Sequence, residues 1–129
     1  MVYKQILIIN SELDMGKGKI VGQACHGMVY YMDELLLYLE GKAPENKELY
    51  EKFKIWRGED GGLMKKIVLK AKEAEMDRIL RELTTRDIEA FVVHDRGLTQ
   101  VKENSFTCIV IEPLPEAQCD ELSRHLKLL

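Results

Sequence analysis

Hydrophobic and polar positions change period along the chain, and those changes mark out alternating strands and helices. Gln5-Ile6-Leu7-Ile8-Ile9 is a short β-branched run that closes on polar Asn10 and Ser11, the pattern of a strand buried on both faces. Beyond Gly16-Lys17-Gly18-Lys19, apolar Ile20, Ala24, Met28, Tyr31 and Leu35 fall at steps of four and three. That spacing predicts an amphipathic helix from Ile20 to about Leu39, stopped near Gly41 and Pro44. Glu45 to Arg57 is charged but carries Leu49, Phe53 and Trp56 at helical spacing, predicting a second helix before a break from Gly58 to Gly62. Lys66-Ile67-Val68-Leu69-Lys70 predicts a second strand, and Glu73 to about Leu83 a third helix turning Met76, Ile79, Leu80 and Leu83 inward. Ala90 to Val93 and Phe106 to Ile111 predict third and fourth strands. Pro113 and Pro115 then open a short last helix through about Arg124, and the tail His125 to Leu129 follows.

Strands alternating with helices indicate an α/β layered sheet, and the direct passage from third to fourth strand adds an antiparallel element. The 129 residues, 46% hydrophobic and 32% charged, suit one domain spanning 1–129. With a net charge of −3 the chain as a whole is no basic nucleic-acid binder, so any RNA contact must come from a local patch of lysines. Cys25, Cys108 and Cys119 are scattered without CxxC spacing, which points to a reduced, cytoplasmic protein without a disulfide framework or zinc site. The N-terminal apolar run contains Lys4 and no small-residue cleavage site. No segment approaches the roughly 18 to 20 apolar residues of a membrane span, so neither export nor membrane insertion is expected.

In an open α/β sheet ligands collect outside the carboxyl ends of the strands. Two polar clusters are expected there: Asp14 to Lys19 after the first strand, and His94 to Gln100 after the third. They can meet if those strands run parallel. On the long helix, Lys19, Gln23, His26 and Tyr30 are separated by four, three and four residues and form one stripe. An ammonium, an amide and an imidazole then point the same way beside a helix N-terminus, a face suited to a phosphate or an ester oxygen. The wet side of any amphipathic helix has the same spacing, which by itself leaves both readings open. Gly16 and Gly18 complete neither common phosphate-loop pattern, so a nucleotide-binding switch is the weaker alternative. Cys25 points about 100° away from His26 and is read as packing rather than as a nucleophile. The three histidines lie far apart, and no metal is expected. Asp95, just before Gly97, either caps a turn or faces a cleft. Thr99 and Gln100 in the same loop offer a hydroxyl and an amide for positioning a water or a ribose hydroxyl.

Asp14-Met15-Gly16-Lys17-Gly18-Lys19-Ile20, Gln23 and His26, Lys66 to Lys70, Asp95 to Gln100, and the closing His125-Leu126-Lys127-Leu128-Leu129 together resemble the archaeal and eukaryotic type of peptidyl-tRNA hydrolase. The resemblance runs in order from end to end. It implies a three-layer α/β/α fold with a mixed four-stranded sheet, frequent homodimers and no metal or cofactor. The implied reaction is hydrolysis of the ester between a peptide and the terminal ribose of tRNA. Carried over by position, the catalytic set is Lys19, His26, Asp95 and Thr99, and the substrate-binding set is Lys17, Gln23, Lys66, Lys70 and Gln100. The sequence departs from the family at His94, where glutamine is usual, at Cys25, where serine is usual, and in a longer connection from Gly41 to Gly62. A protein that holds tRNA in the same cleft without catalysis is the alternative.

Overall fold

The computed structural model describes residues 2–59, 62–96 and 104–129. Strand β1 (Tyr3–Asn10) lies inside the sheet, with β2 (Lys65–Ala71) parallel on one side and β4 (Phe106–Ile111) antiparallel on the other. Strand β3 (Ala90–His94) pairs antiparallel beyond β4, so β1 and β3 point the same way. The described residues form six strands rather than the four expected. A two-residue β5 (Leu114–Pro115) pairs with the start of β1, and β6 (Lys127–Leu128) pairs antiparallel with β2, giving the order β3-β4-β1-β2-β6. Two residues are too few to show an alternating pattern, which is why neither short strand stands out in the sequence.

Side-chain parity sorts the apolar residues of the sheet. Leu7, Ile9, Val93, Cys108 and Val110 pack with Ile20, Ala24 and Met28 of helix α1 (Lys17–Leu39). Ile6, Ile8, Leu69, Ile109 and Ile111, of opposite parity on their strands, pack with Met76, Ile79 and Leu83 of α3 (Glu73–Thr85) and with Cys119 and Leu122 of α4 (Glu116–Ser123). Helix α2 (Lys47–Arg57) sets Leu49 and Trp56 against Tyr31 and Leu35, the inward positions that the spacing predicts.

Helix α1 lies close on the sheet because Gly27 faces Val110 with no room for a Cβ between them. It ends at Gly41 (φ +77), where the N–H groups of Gly41 and Lys42 return to the carbonyls of Tyr38 and Leu37. None of the helices among the described residues is long and apolar enough to cross a membrane.

Strand direction gathers the chemistry at one edge. Asn10 pairs with Ala71, Ile9 with Cys108, Phe106 with His94, and Lys70 with Lys127. The ends of β1, β2 and β3 and the starts of β4 and β6 therefore share that edge. Asn10, 1% exposed, ties it together: its Nδ2 donates to the carbonyl of Phe106 at 2.8 Å and its Oδ1 accepts the N–H of Glu12 at 2.9 Å.

Candidate active site

Asp95 follows β3 with the parity of Val93, which turns it toward α1. Its N–H donates to Ser105 O at 2.9 Å and its carbonyl accepts from Asn104 N–H at 2.5 Å, holding the chain just past β3 against the chain just before β4. At 6% exposure its carboxylate needs internal partners, and α1 supplies them. Lys19 Nζ reaches Asp95 Oδ1 at 2.5 Å, and Gln23 Nε2 donates to the same oxygen at 3.2 Å. The two polar clusters that parallel strands allow to meet do meet.

Thr107 completes the network. Its hydroxyl donates to Gln23 Oε1 at 2.7 Å, with Val93 O as a second acceptor at 3.1 Å. Regular alternation would send Thr107 to the α3 side, because Cys108 faces α1. The register slips, however, between Val93, opposite Cys108, and His94, opposite Phe106, leaving Thr107 unpaired in the ladder. This bulge turns Thr107 toward Gln23 and sends Phe106 into the α3-side cluster. Sequence reasoning missed Thr107. Its only signal is a hydroxyl inside the otherwise apolar run Phe106 to Ile111.

Lys19, Gln23, His26 and Tyr30 line a cleft of about 510 Å³ together with His94, Asp95 and Arg96. The α1 stripe thus forms one wall of this cleft, and Arg96 joins it as a cation that the sequence reading left unassigned. His94 approaches Asn104 O at 3.2 Å through Nδ1, lies 5.4 Å from the Phe106 ring and borders the cleft. Thr99 and Gln100 lie outside the described residues.

The remaining candidates are dispersed. Lys17 is exposed at the first residue of α1. Lys70 sits at the shared edge but lines a separate cleft with Ser11, Lys72 and Lys127. Lys66 belongs to the opposite end of β2, with its ammonium 5.1 Å from the Trp56 ring centroid and 3.1 Å from Met64 O. Cys25 corrects the packing expectation: it is exposed, on the flank of α1 away from His26. Burial pushes the Cys108 thiol up to about 12, which leaves it a poor nucleophile. Among the described residues no group of three or more His, Cys, Asp or Glu is arranged to hold a metal ion.

Comparison with known proteins supplies a family. The family model described as peptidyl-tRNA hydrolase PTH2 matches residues 3–129. A peptidyl-tRNA hydrolase of Thermococcus onnurineus is 32% identical over 128 residues, covering 98% of both chains. One from Methanothermobacter thermautotrophicus is 33% identical over 126 residues, covering 98% of this chain and 99% of the other. A probable peptidyl-tRNA hydrolase 2 of Drosophila melanogaster is 31% identical over 127 residues, 98% of this chain and 62% of that longer one. A solved structure of a protein of unknown function from Agrobacterium tumefaciens has a similar fold, with a TM-score of 0.52 at 12% identity over 98% of this chain and 97% of the other.

Proposed function

This chain belongs to the peptidyl-tRNA hydrolase PTH2 family, and from that membership we propose how its cleft performs the reaction. The protein is an esterase that hydrolyses peptidyl-tRNA. Its substrate ester joins the peptide carbonyl to the terminal ribose, and hydrolysis returns tRNA to translation. Asp95, aided by His26, orients a water and takes its proton as the oxygen attacks the ester carbonyl carbon. Lys19 and Arg96 offset the charge that develops on the carbonyl oxygen. When the tetrahedral intermediate collapses, the carbon–ribose oxygen bond breaks and the proton passes to the departing hydroxyl. Gln23 positions the carboxylate and the substrate; Thr99 and Gln100, which follow Asp95 in the sequence, also act on the substrate.

The observation that carries this reading is the convergence of Asp95 from the end of β3 with Lys19, Gln23 and His26 from α1 in one cleft. Lys17 and Lys70, at the same edge, contact the RNA backbone. Lys66 does so only for a substrate that runs the length of β2. The whole chain acts as one three-layer domain in the cytoplasm, a layering supported by helices packed on side chains of both parities. The working form is a homodimer, supported by exposed Val21, Val29, Leu36 and Leu39 along one flank of α1. A monomer mass by sedimentation at micromolar concentration would exclude it.

Asp95→Asn tests the mechanism. The variant folds and binds tRNA, but its hydrolysis of an N-blocked aminoacyl-tRNA falls by roughly a hundred- to ten-thousand-fold, the usual contribution of a general base. His26→Ala also slows turnover, and the double variant loses much less than the product of the single losses if the two act as a unit. An Asp95→Asn protein that melts like the parent and cleaves at a comparable rate removes Asp95 from the chemistry. Parent protein that binds tRNA without turnover would instead establish the non-catalytic alternative.

A further inference from the structure

We propose that the cleft between the end of β2 and the C-terminal tail is a second subsite, which holds backbone phosphates of the tRNA acceptor end while the ester occupies the Asp95 cleft. The proposal rests on the reading of the protein as a peptidyl-tRNA hydrolase. The cleft is an open groove of about 450 Å³ lined by Ser11, Lys70, Lys72, Glu75, His125 and Lys127 along with the apolar stems beside them. Three lysines from two strands and a connection meet here because Lys70 pairs with Lys127 across the β2–β6 ladder and Lys72 follows β2. All three are exposed, and their ammonium groups make no ion pair or hydrogen bond among the described residues.

The neighbouring carboxylates have hydrogen-bond partners of their own, and Glu75, the one that lines the cleft, is matched by a cation. Glu75 Oε1 lies 2.7 Å from Arg78 and 2.6 Å from His125 Nε2, and the Arg78 guanidinium foremost, with the His125 contact, holds its carboxyl below the usual range. Glu12 accepts the N–H of Glu73 at 2.8 Å, so the start of α3 is satisfied from within. Glu73 accepts from Asn10 at 3.3 Å. The lysines, rather than a helix terminus, supply the free positive charge. On a chain of net charge −3, such a cluster marks where a polyanion can lie.

Position identifies the occupant as RNA. The cleft shares the sheet edge of Asp95, three to four strands away, which at ~4.8 Å per strand is about 15 to 20 Å. That is within reach of a few nucleotides of a single strand whose end carries the ester. It also assigns work to the His125-Leu126-Lys127 tail, which packs Leu126 against the α3-side core and presents its polar neighbours to the cleft.

The test uses Lys72→Gln/Lys127→Gln, which keeps most of each side chain's length. Equilibrium tRNA binding is measured across salt for parent and variant. kcat/KM is measured for peptidyl-tRNA and for an N-acetylaminoacyl ester of adenosine, which lacks the upstream phosphates. The variant's Kd for tRNA rises about tenfold near physiological salt, and its log–log salt slope shrinks by about 1.4, two single-strand contacts' worth. The ratio of kcat/KM for tRNA ester to adenosine ester falls by a similar factor. An unchanged Kd and slope overturns the subsite, as does an equal loss on both esters or a parent that does not bind tRNA. A parent that binds tRNA through these lysines yet never cleaves it leaves the subsite standing and overturns the hydrolase reading.

Discussion

Asp95, which can only accept, and Thr107 together fix which end of the Gln23 amide faces the carboxylate. An amide presents a donor and an acceptor of nearly equal size, and only the network around it distinguishes them. With the Thr107 hydroxyl donating to Oε1, Nε2 must point at the carboxylate, where it donates to the same oxygen as Lys19. Thr107→Val keeps the shape and removes the donor. Gln23, 5% exposed, then holds a buried oxygen with a methyl group against it, at a cost of about 1–3 kcal/mol. We expect a lower melting temperature and a several-fold fall in kcat, with Thr107→Ser restoring most of both. A valine variant with unchanged kcat would make Thr107 merely structural. The α1 half of the candidate site was legible in the sequence, because a stripe at helical spacing survives whatever the helix packs against. Asp95 was legible as a carboxylate at a strand end. Thr107 was not, since its direction depends on a one-residue register slip that alternation cannot reveal.

Helix α1 carries the site by breaking two local rules of helix stability. Its first turn holds no acidic residue and places Lys17 and Lys19 beside the positive end of the dipole. Lys19 finds compensation in Asp95 across the cleft. Its middle contains Gly27, which weakens a helix by about 1 kcal/mol relative to alanine. Here the glycine brings the helix onto Val110 and Val93. Gly27→Ala therefore sets propensity against packing. A Cβ would overlap Val110 Cγ2, a methyl on a central strand that has little freedom to yield. Overpacking of that kind costs about 1–3 kcal/mol, and any outward shift of α1 carries His26 and Gln23 away from Asp95. Displacement on the order of 1 Å at a site can lower the rate about a hundredfold. We expect Gly27→Ala to melt lower and turn over more slowly. A variant stabilised like an ordinary helical Gly→Ala, with full activity, would show that the close approach has no functional weight. The predicted helices emerged because each buries a face at a regular period. The tail strand stayed hidden because its two residues are exposed and hold their place through ladder hydrogen bonds alone.

Across the whole molecule, a cluster of lysines and a cluster of carboxylates lie at opposite sheet edges. The edge that carries Lys19, Lys70, Lys72 and Lys127 faces RNA in the proposed function. The opposite edge, roughly 20 Å away along the strands, gathers Glu45, Glu48, Asp87, Glu89 and Glu112 with Lys52 around a pocket of about 270 Å³. Glu112 is the buried member at 2% exposure. It accepts the N–H of Glu89 at 2.6 Å and pairs with Lys52 at 3.1 Å. Burial nevertheless pushes its carboxyl above the usual range; the Glu89 N–H and Lys52 oppose that rise, and the charge of Glu89 adds to it. Glu45, Glu48 and Asp87 face the same pocket. A carboxyl with a raised folded pKa keeps its proton in the native state after the unfolded chain has lost it. Its contribution to stability is therefore fully present below the unfolded value of about 4.3 and is lost as pH rises through the folded value. Glu112→Gln cannot ionise, so its melting temperature should gain on the parent's as pH rises from about 4.3 toward neutrality and then hold a constant offset. Glu112 lies at the edge away from Asp95, so hydrolysis at the permissive temperature should stay at the parent's rate. Paired thermal melts across that window decide the matter. A melting difference that does not move with pH would mean that the native and unfolded states hold the Glu112 proton equally.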